Sequence, residues 1–405
     1  MAAALSHIRV LDLSRVLAGP WATQLLADFG AEVIKIERPG CGDDTRAWGP
    51  PFLKDAAGRD TGESAYYLCT NRAKKSVAVD IALAEGQRLL RDLAAKCDVV
   101  IENFKVGALA KYGLDYESLR AVAPGIIYCS ITGFGQDGPF ADRAGYDFMI
   151  QGMGGLMGIT GEPEGEPMKV GVAVTDLFTG MYASNAILAA LTHRQRTGEG
   201  QRIDIALLDT QIAMLANVAS NYLVGGSLPR RHGNAHANIV PYQAFHCRDG
   251  YLILAVGNDG QFAKFCEVAG RPELARDHRF ATNPARVTHR ETLVGMIEGI
   301  MRDRDLEDWI AALEAAGVPC GPINTLDRVF DHPQTHARGV RVDVPHAAGV
   351  SVPLVANPVK FSATPVSYEL APPRLGEHTR EVLASVLELP PAEIDRLAGS
   401  GVVAL

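Results

Sequence analysis

Two short apolar runs, residues 8–13 (IRVLDL) and 31–37 (AEVIKIE), flank a helical stretch at 21–29 that stops at Gly30. A strand, a helix and a strand in so short a span form a β-α-β unit. Such a unit makes its two strands parallel, since an antiparallel pair needs only a tight turn. The pattern recurs. Residues 76–80 read as a strand, and 85–96 as a helix with Leu89, Leu90 and Leu93 on one side. Residues 98–104 (DVVIENF) read as a strand, 116–122 as a helix and 126–131 (IIYCSI) as another strand. This alternation predicts an α/β fold, a Rossmann-like doubly wound layer with a parallel sheet. In such layers ligands bind beyond the carboxyl ends of the strands.

A chain of 405 residues exceeds one ordinary core and predicts about two domains. Residues 39–64, rich in Gly, Pro and Asp, read as a long irregular loop of the kind that covers a site. Helices are expected at 177–194 and 210–223, the second with Asp209 as its N-cap. The run Gly225-Gly226-Ser227-Leu228-Pro229 breaks the pattern and marks a domain boundary. A new α+β pattern runs from 251 to about 324, and a Pro- and Val-rich segment then ends in a helix near 380–387.

Composition narrows the function. A net charge of −8 excludes a global electrostatic grip on nucleic acid, which needs a basic surface. Seven scattered cysteines without a Cys-x-x-Cys argue against a disulfide scaffold or zinc knuckle and suit a reducing compartment. No apolar run is long enough to span a membrane, and the N-terminus has no charged segment followed by an apolar one. A cytoplasmic protein is expected. No metal-binding motif appears, so no metal is expected.

The glycine run 152–158 (GMGGLMG) has Met157 where a dinucleotide fingerprint needs its third glycine, and it does not follow the first strand. Residues 71–76 (NRAKKS) gather three positive charges before a strand, which fits a solvated loop or a phosphate contact. Arg38 follows the second strand, where this fold recognises an adenosine ribose. An Arg there suits a ribose carrying a phosphate, as in coenzyme A. Asn103 and Phe104 close the 98–104 strand, placed either to bond and stack on a nucleotide or simply to fill core. Asp176 stands where an apolar stretch (VGVAVT) becomes a helix. Its plain reading is an N-cap. Its functional reading is a carboxylate kept ionised by the helix dipole and partly dry, hence a nucleophile toward an acyl carbon. Position alone does not choose between them.

Taken in order, residues 15–20 (RVLAGP), 30–39 (GAEVIKIERP), 42–46 (GDDTR), 71–76, 102–104 (ENF), 133–136 (GFGQ), Asp176, 233–235 (GNA), 320–322 (CGP) and 375–379 (LGEHT) resemble the class III CoA-transferases. This is the carnitine/bile-acid CoA-transferase family, which includes formyl-CoA transferase. Residues 42–51 and 233–245 (GNAHANIVPYQAF) look most like its succinyl-CoA–glutarate branch. The resemblance covers nearly the whole chain and implies an interlocked, ring-shaped homodimer. Residues 1–224 and 331–405 would build the large domain, with 225–330 inserted as the small one.

The resemblance further implies acyl-CoA and small carboxylic acids as substrates, no permanently bound cofactor, and Asp176 as the covalent nucleophile. CoA would touch Arg38, Asn103, Phe104, Lys111, Tyr146 and Asp147. Arg46, His236 and Asn238 are candidates for the second carboxylate of a dicarboxylic acceptor. Leu17 stands where formyl-CoA transferase has Gln, and residues 236–239 (HANI) replace its glycine-rich loop; both argue against a formyl or oxalyl enzyme. The related α-methylacyl-CoA racemases need a His base after Ala-Gly. Here Ala144-Gly145 precedes Tyr146, whose ordinary pKa of about 10 makes it a poor base at neutral pH. A non-catalytic acyl-CoA-binding protein is the other alternative, and the intact Asp176 weighs against it.

Overall fold

The computed structural model describes residues 3–405. They form two compact units. One contains the chain up to Gly155, Gly171–Leu215 and Pro333–Leu405; the other contains Leu156–Val170 and Ala216–His332.

The first unit is built on strands β1 (Arg9–Asp12), β2 (Glu32–Glu37), β3 (Lys74–Val79), β4 (Val99–Glu102), β5 (Ile127–Thr132), β6 (Arg202–Ala206) and β7 (Val403–Ala404). Their order in the sheet is β7-β3-β2-β1-β4-β5-β6. The six from β3 to β6 are parallel, and β7 joins antiparallel at the β3 edge. Adjacent residues serve opposite faces, as a pleat requires. Leu11, Ile34 and Val100 enter one core with Leu89, Leu90 and Leu93. Val10, Val33, Val99 and Ile101 enter the other, with Ala22 and Leu26 of helix α1 (Ala18–Asp28). The strand order reverses between β1 and β4, so the crevice beyond their carboxyl ends is the place where such sheets bind ligands.

Three helices frame that crevice along with α1: α2 (Asp147–Met153), α3 (Val174–Thr197) and α4 (Leu207–Met214). A Cβ on Gly180 of α3 would lie 2.7 Å from the carbonyl oxygen of Ala18, so α1 and α3 pack at backbone distance there. Beneath the crevice the strands carry buried charge. The Asp12 carboxylate accepts from the Ser14 amide (2.9 Å), the Ser14 and Thr23 hydroxyls, and the Lys74 ammonium (3.3 Å). Lys35 reaches Asp43 (2.8 Å) and the Ser14 carbonyl (2.9 Å).

The second unit holds an antiparallel sheet of Tyr242–His246, Tyr251–Ala255 and Cys320–Pro322. Phe245, Phe262, Phe265 and Trp309 fill its core. The Arg286 guanidinium, fully buried there, binds the carbonyls of Val240 (2.6 Å) and Phe280 (2.9 Å) and the Asp259 carboxylate (2.8 Å). No helix among the described residues is long and apolar enough to cross a membrane.

The structure departs from the sequence reading at several boundaries. α1 starts at Ala18 rather than 21, because Pro20 fits a first helical turn, where its missing N–H has no acceptor to lose. The 39–64 stretch contains a short hairpin, Phe52–Lys54 with Asp60–Ser64. The single helix expected at 210–223 is two, α4 and Ala216–Gly225, divided where Ala216 takes a φ of 45°. Asp209 lies inside the first turn of α4, whose N-cap is Ala206. After the Thr379–Ser385 helix, the chain adds a helix at Pro391–Gly399 and returns to the sheet as β7.

Gly180→Ala should push α1 and α3 apart and cost about 1–3 kcal/mol, the usual penalty for overpacking. Urea denaturation measures this.

Candidate active site

Helix α3 begins without a cap of its own. Its N-cap is Ala173, which has no side-chain acceptor, so the Thr175 and Asp176 amides need one from elsewhere. Asp147, the first residue of α2, supplies it. Its Oδ1 accepts from the Thr175 amide (2.8 Å) and the Asp176 amide (3.3 Å), and its Oδ2 accepts from Gln151 Nε2 (2.6 Å). Asp176 is therefore the third residue of the helix and not its cap.

The Asp176 side chain is half-buried and lines a cleft of about 150 Å³ with Leu17, Ala18, Asn103, Phe104, Arg143 and Tyr146. Its carboxyl accepts no hydrogen bond from the described residues. Burial, and then the charge on Asp147, push its pKa up to about 7. The expectation that the helix dipole would hold it ionised is corrected here, because Asp147 occupies the amides that would have done so. The Tyr66 hydroxyl, pushed up to about 12 by burial and by the charge of Asp176, stays protonated at neutral pH.

A second cavity of about 380 Å³ adjoins, lined by Arg38, Cys41, Asp80 and Tyr112 and sharing Arg15 and Phe104 with the Asp176 cleft. An elongated ligand can run from one to the other past these two side chains. The Arg15 guanidinium lies 5.7 Å from the centre of the Phe104 ring and binds Asp44 (2.8 Å). Asn103 clamps the Arg15 backbone from both sides, accepting from its amide (3.0 Å) and donating to its carbonyl (2.7 Å). Glu102, pushed up to about 6 by burial, accepts from the Phe104 amide (2.8 Å). Val16 follows Arg15 with a φ of 69°, rare for a β-branched residue, and its amide faces Asp43 (3.2 Å). The turn then enters α1, whose N-cap Leu17 supplies no side-chain cap, so the first amides of α1 stay open beside Asp176.

Of the other residues singled out from the sequence, Tyr146 is largely exposed at the start of α2. Lys111 is exposed, with its ammonium 4.6 Å from the centre of the Tyr112 ring. Arg46 is buried, bound to Glu37 (2.7 and 2.8 Å), Glu63 (2.8 Å) and the Pro373 carbonyl (3.0 Å), and stacked 3.7 Å over Tyr67. His236 and Asn238 belong to the second unit and line a cavity of about 850 Å³ there with Arg230 and His232. His236 Nδ1 accepts from the Asn238 amide (3.0 Å), and Asn238 Oδ1 accepts from Asn221 (2.8 Å). The sequence reading passed over Arg15 as a site residue, although it lies in the turn after β1 at the switch point. It also passed over Gly133 and Gly145, whose backbones meet so closely that a Cβ on Gly145 would lie 2.4 Å from the Gly133 Cα.

The sequence profile described as CoA-transferase family III matches residues 5–379. The chain belongs to that family. It is accordingly a CoA-transferase. It is 55% identical over 382 residues to a succinate–glutarate CoA-transferase of Agrobacterium fabrum, covering 94% of this chain and 95% of that one. It is 47% identical over 399 residues to the succinyl-CoA:glutarate CoA-transferase of Mus musculus, covering 98% and 90%. The crystal structure of a CAIB/BAIF family protein from Brucella suis superposes with a TM-score of 0.84 at 51% identity, covering 95% of this chain and all of that one.

A carboxyl whose folded pKa is raised contributes most to stability below its unfolded pKa and loses that contribution as pH rises toward the folded value. Asp176→Asn should therefore stabilise the protein at pH 8, by an amount on the order of 2 kcal/mol, and leave it unchanged below about pH 4. Thermal unfolding across that pH range reads the difference.

Proposed function

We propose that this enzyme moves CoA from succinyl-CoA to a dicarboxylic acid such as glutarate, with Asp176 as its covalent nucleophile. The observation that carries this reading is a carboxyl without hydrogen bonds from the described residues, in a cleft joined by Arg15 and Phe104 to a cavity suited to a nucleotide. The names of the relatives support the choice of donor and acceptor. The phosphorylated adenosine of CoA would lie by Arg38, with Lys111 nearby, and the pantetheine arm would pass Phe104 toward Tyr146.

An Asp176 oxygen attacks the succinyl thioester carbon. The C–S bond breaks, leaving a mixed anhydride and CoA thiolate. The thiolate attacks the aspartyl carbonyl, the anhydride C–O bond breaks, and succinate departs from an aspartyl-CoA thioester. Glutarate then attacks that thioester, and the released thiolate takes the glutaryl group, restoring the carboxylate. Two covalent half-reactions replace one difficult exchange. The open amides at the start of α1 would donate to the oxyanion that forms at each attack. A carboxylate poorly solvated and more basic than usual is the better nucleophile, provided the pH is high enough to ionise it.

Of the three candidates for the acceptor's distal carboxylate, Arg46 is set aside because its bonds are all internal, which leaves His236 and Asn238 as candidates. The working form is taken to be an interlocked homodimer in the cytoplasm, in keeping with the family resemblance.

Asp176→Ala should abolish exchange between succinyl-CoA and glutarate, a loss of at least about a thousandfold, while circular dichroism stays unchanged. Hydroxylamine added during turnover should label Asp176 in peptide mass spectra. Wild-type-like transfer in the variant, or label only elsewhere, would reject the mechanism. A panel of mono- and dicarboxylic acids identifies the acceptor class.

A further inference from the structure

The N-terminus of α3 has two aspartates and one set of free amides. A helix with an acidic residue at its third position ordinarily lets that side chain reach back toward the N-terminal amides. Here the acidic third residue is Asp176, and the amides of Thr175 and Asp176 are taken by Asp147 from another helix. Gln151, one turn along α2, holds the other Asp147 oxygen. The backbones of Gly145 and Gly133 touch and fix where α2 begins. Asp147 is thus tied on both oxygens and aimed at the helix end, an arrangement that leaves little for CoA to bind.

We propose that Asp147 is a positioning residue for Asp176: it caps the Asp176 helix from outside, withholds the N-terminal amides from the Asp176 carboxyl, and so keeps that carboxyl free to react.

The same geometry sets acid strength. Hydrogen bonds from amides would stabilise the Asp176 anion, but those bonds go to Asp147, whose own charge lies close by. The other charged or titratable groups facing the cleft do not compensate. Arg15 is bound to Asp44, and Arg143 stacks on Phe140 at 4.5 Å. Lys105 and Tyr146 line the cleft, and none of these cations makes an ion pair with Asp176 among the described residues. Tyr66 stays neutral. The pKa of about 7 then follows from burial first and Asp147 second.

The inference rests on the nucleophile reading for its catalytic consequence, but its direct readout does not. Carbon-13 NMR of aspartate-labelled protein, with Asp176→Asn to assign the resonance, follows ionisation of Asp176 without turnover. In the wild type this carboxyl should titrate near pH 7. In Asp147→Ala, which frees the two amides and removes the charge, it should titrate at least one pH unit lower. The midpoint of the kcat/KM profile for succinyl-CoA should fall by the same amount, and Asp147→Glu should restore it. An unmoved Asp176 titration in Asp147→Ala, or a lowered kcat with an unmoved midpoint, would overturn the proposal. If that variant fails to fold, a wild-type Asp176 titrating in the ordinary carboxylate range overturns it equally. Should Asp176→Ala retain full exchange, the nucleophile reading falls while the NMR comparison still decides the coupling.

Discussion

The first unit depends on a carboxylate placed where no water reaches it. Asp12, at the end of β1, is fully buried and accepts from the Ser14 amide and hydroxyl, the Thr23 hydroxyl and Lys74. Desolvation alone would force it to protonate. Lys74 and Lys35, with the two hydroxyls, overcome that and hold it below the ordinary carboxylate range. Burial costs Lys74 more than its partners return, and its pKa is pushed down to about 7. Lys35, held up by Asp43, keeps its charge. Breaking such a buried pair costs about 3–5 kcal/mol, because the partner is left uncompensated. The result is a rigid turn from Ser14 to Leu17, in which the rare backbone of Val16 can persist.

Two helix N-termini meet beside Asp176, and they are treated oppositely. α1 has no side-chain cap, so its positive end faces the cleft unneutralised. α3 is capped by Asp147, so its positive end is spent. Had both been open, Asp176 would rest as a stabilised anion and, on the proposed reading, would attack poorly. Had both been capped, no donors at these termini would meet the oxyanion formed by attack. The asymmetry suits the proposed reaction, in which charge would leave Asp176 and appear one bond away.

The sheet was legible because parallel strands buried on both faces are continuous apolar runs with helices between them. β6 escaped because RIDIA sits at an edge, with its Arg202 and Asp204 exposed, and reads as a charged connection. β7 is two residues long and carries no pattern; only tertiary pairing to β3 makes it a strand. The break at Ala216 coincides with the passage from one unit to the other. At the site, Asp176 could be singled out by its place at a helix start, but its acid strength could not be read. That property depends first on burial and then on Asp147, twenty-nine residues earlier, which follows a glycine contact rather than any motif. Arg46 shows the converse. A cation in a glycine-rich loop looked available for a substrate carboxylate, yet Glu37 and Glu63, distant in sequence, had already claimed it.

What fixes the first turn of α3 is a set of places where a side chain is forbidden. Gly145 against Gly133 brings α2 up to the end of β5. Gly154, at the end of α2, leaves room for Gln211 of α4, whose Cγ would sit 2.3 Å from a Cβ there. Gln211 in turn accepts from the Thr175 hydroxyl (2.6 Å), next to Asp176. Gly180 lets α1 approach one turn further along. Each contact removes a different freedom of α3, so the carboxyl is positioned by backbone proximity rather than by bonds to itself. In the proposed role as nucleophile, a carboxyl held by its own hydrogen bonds would have to break them to react; one held through its helix would not.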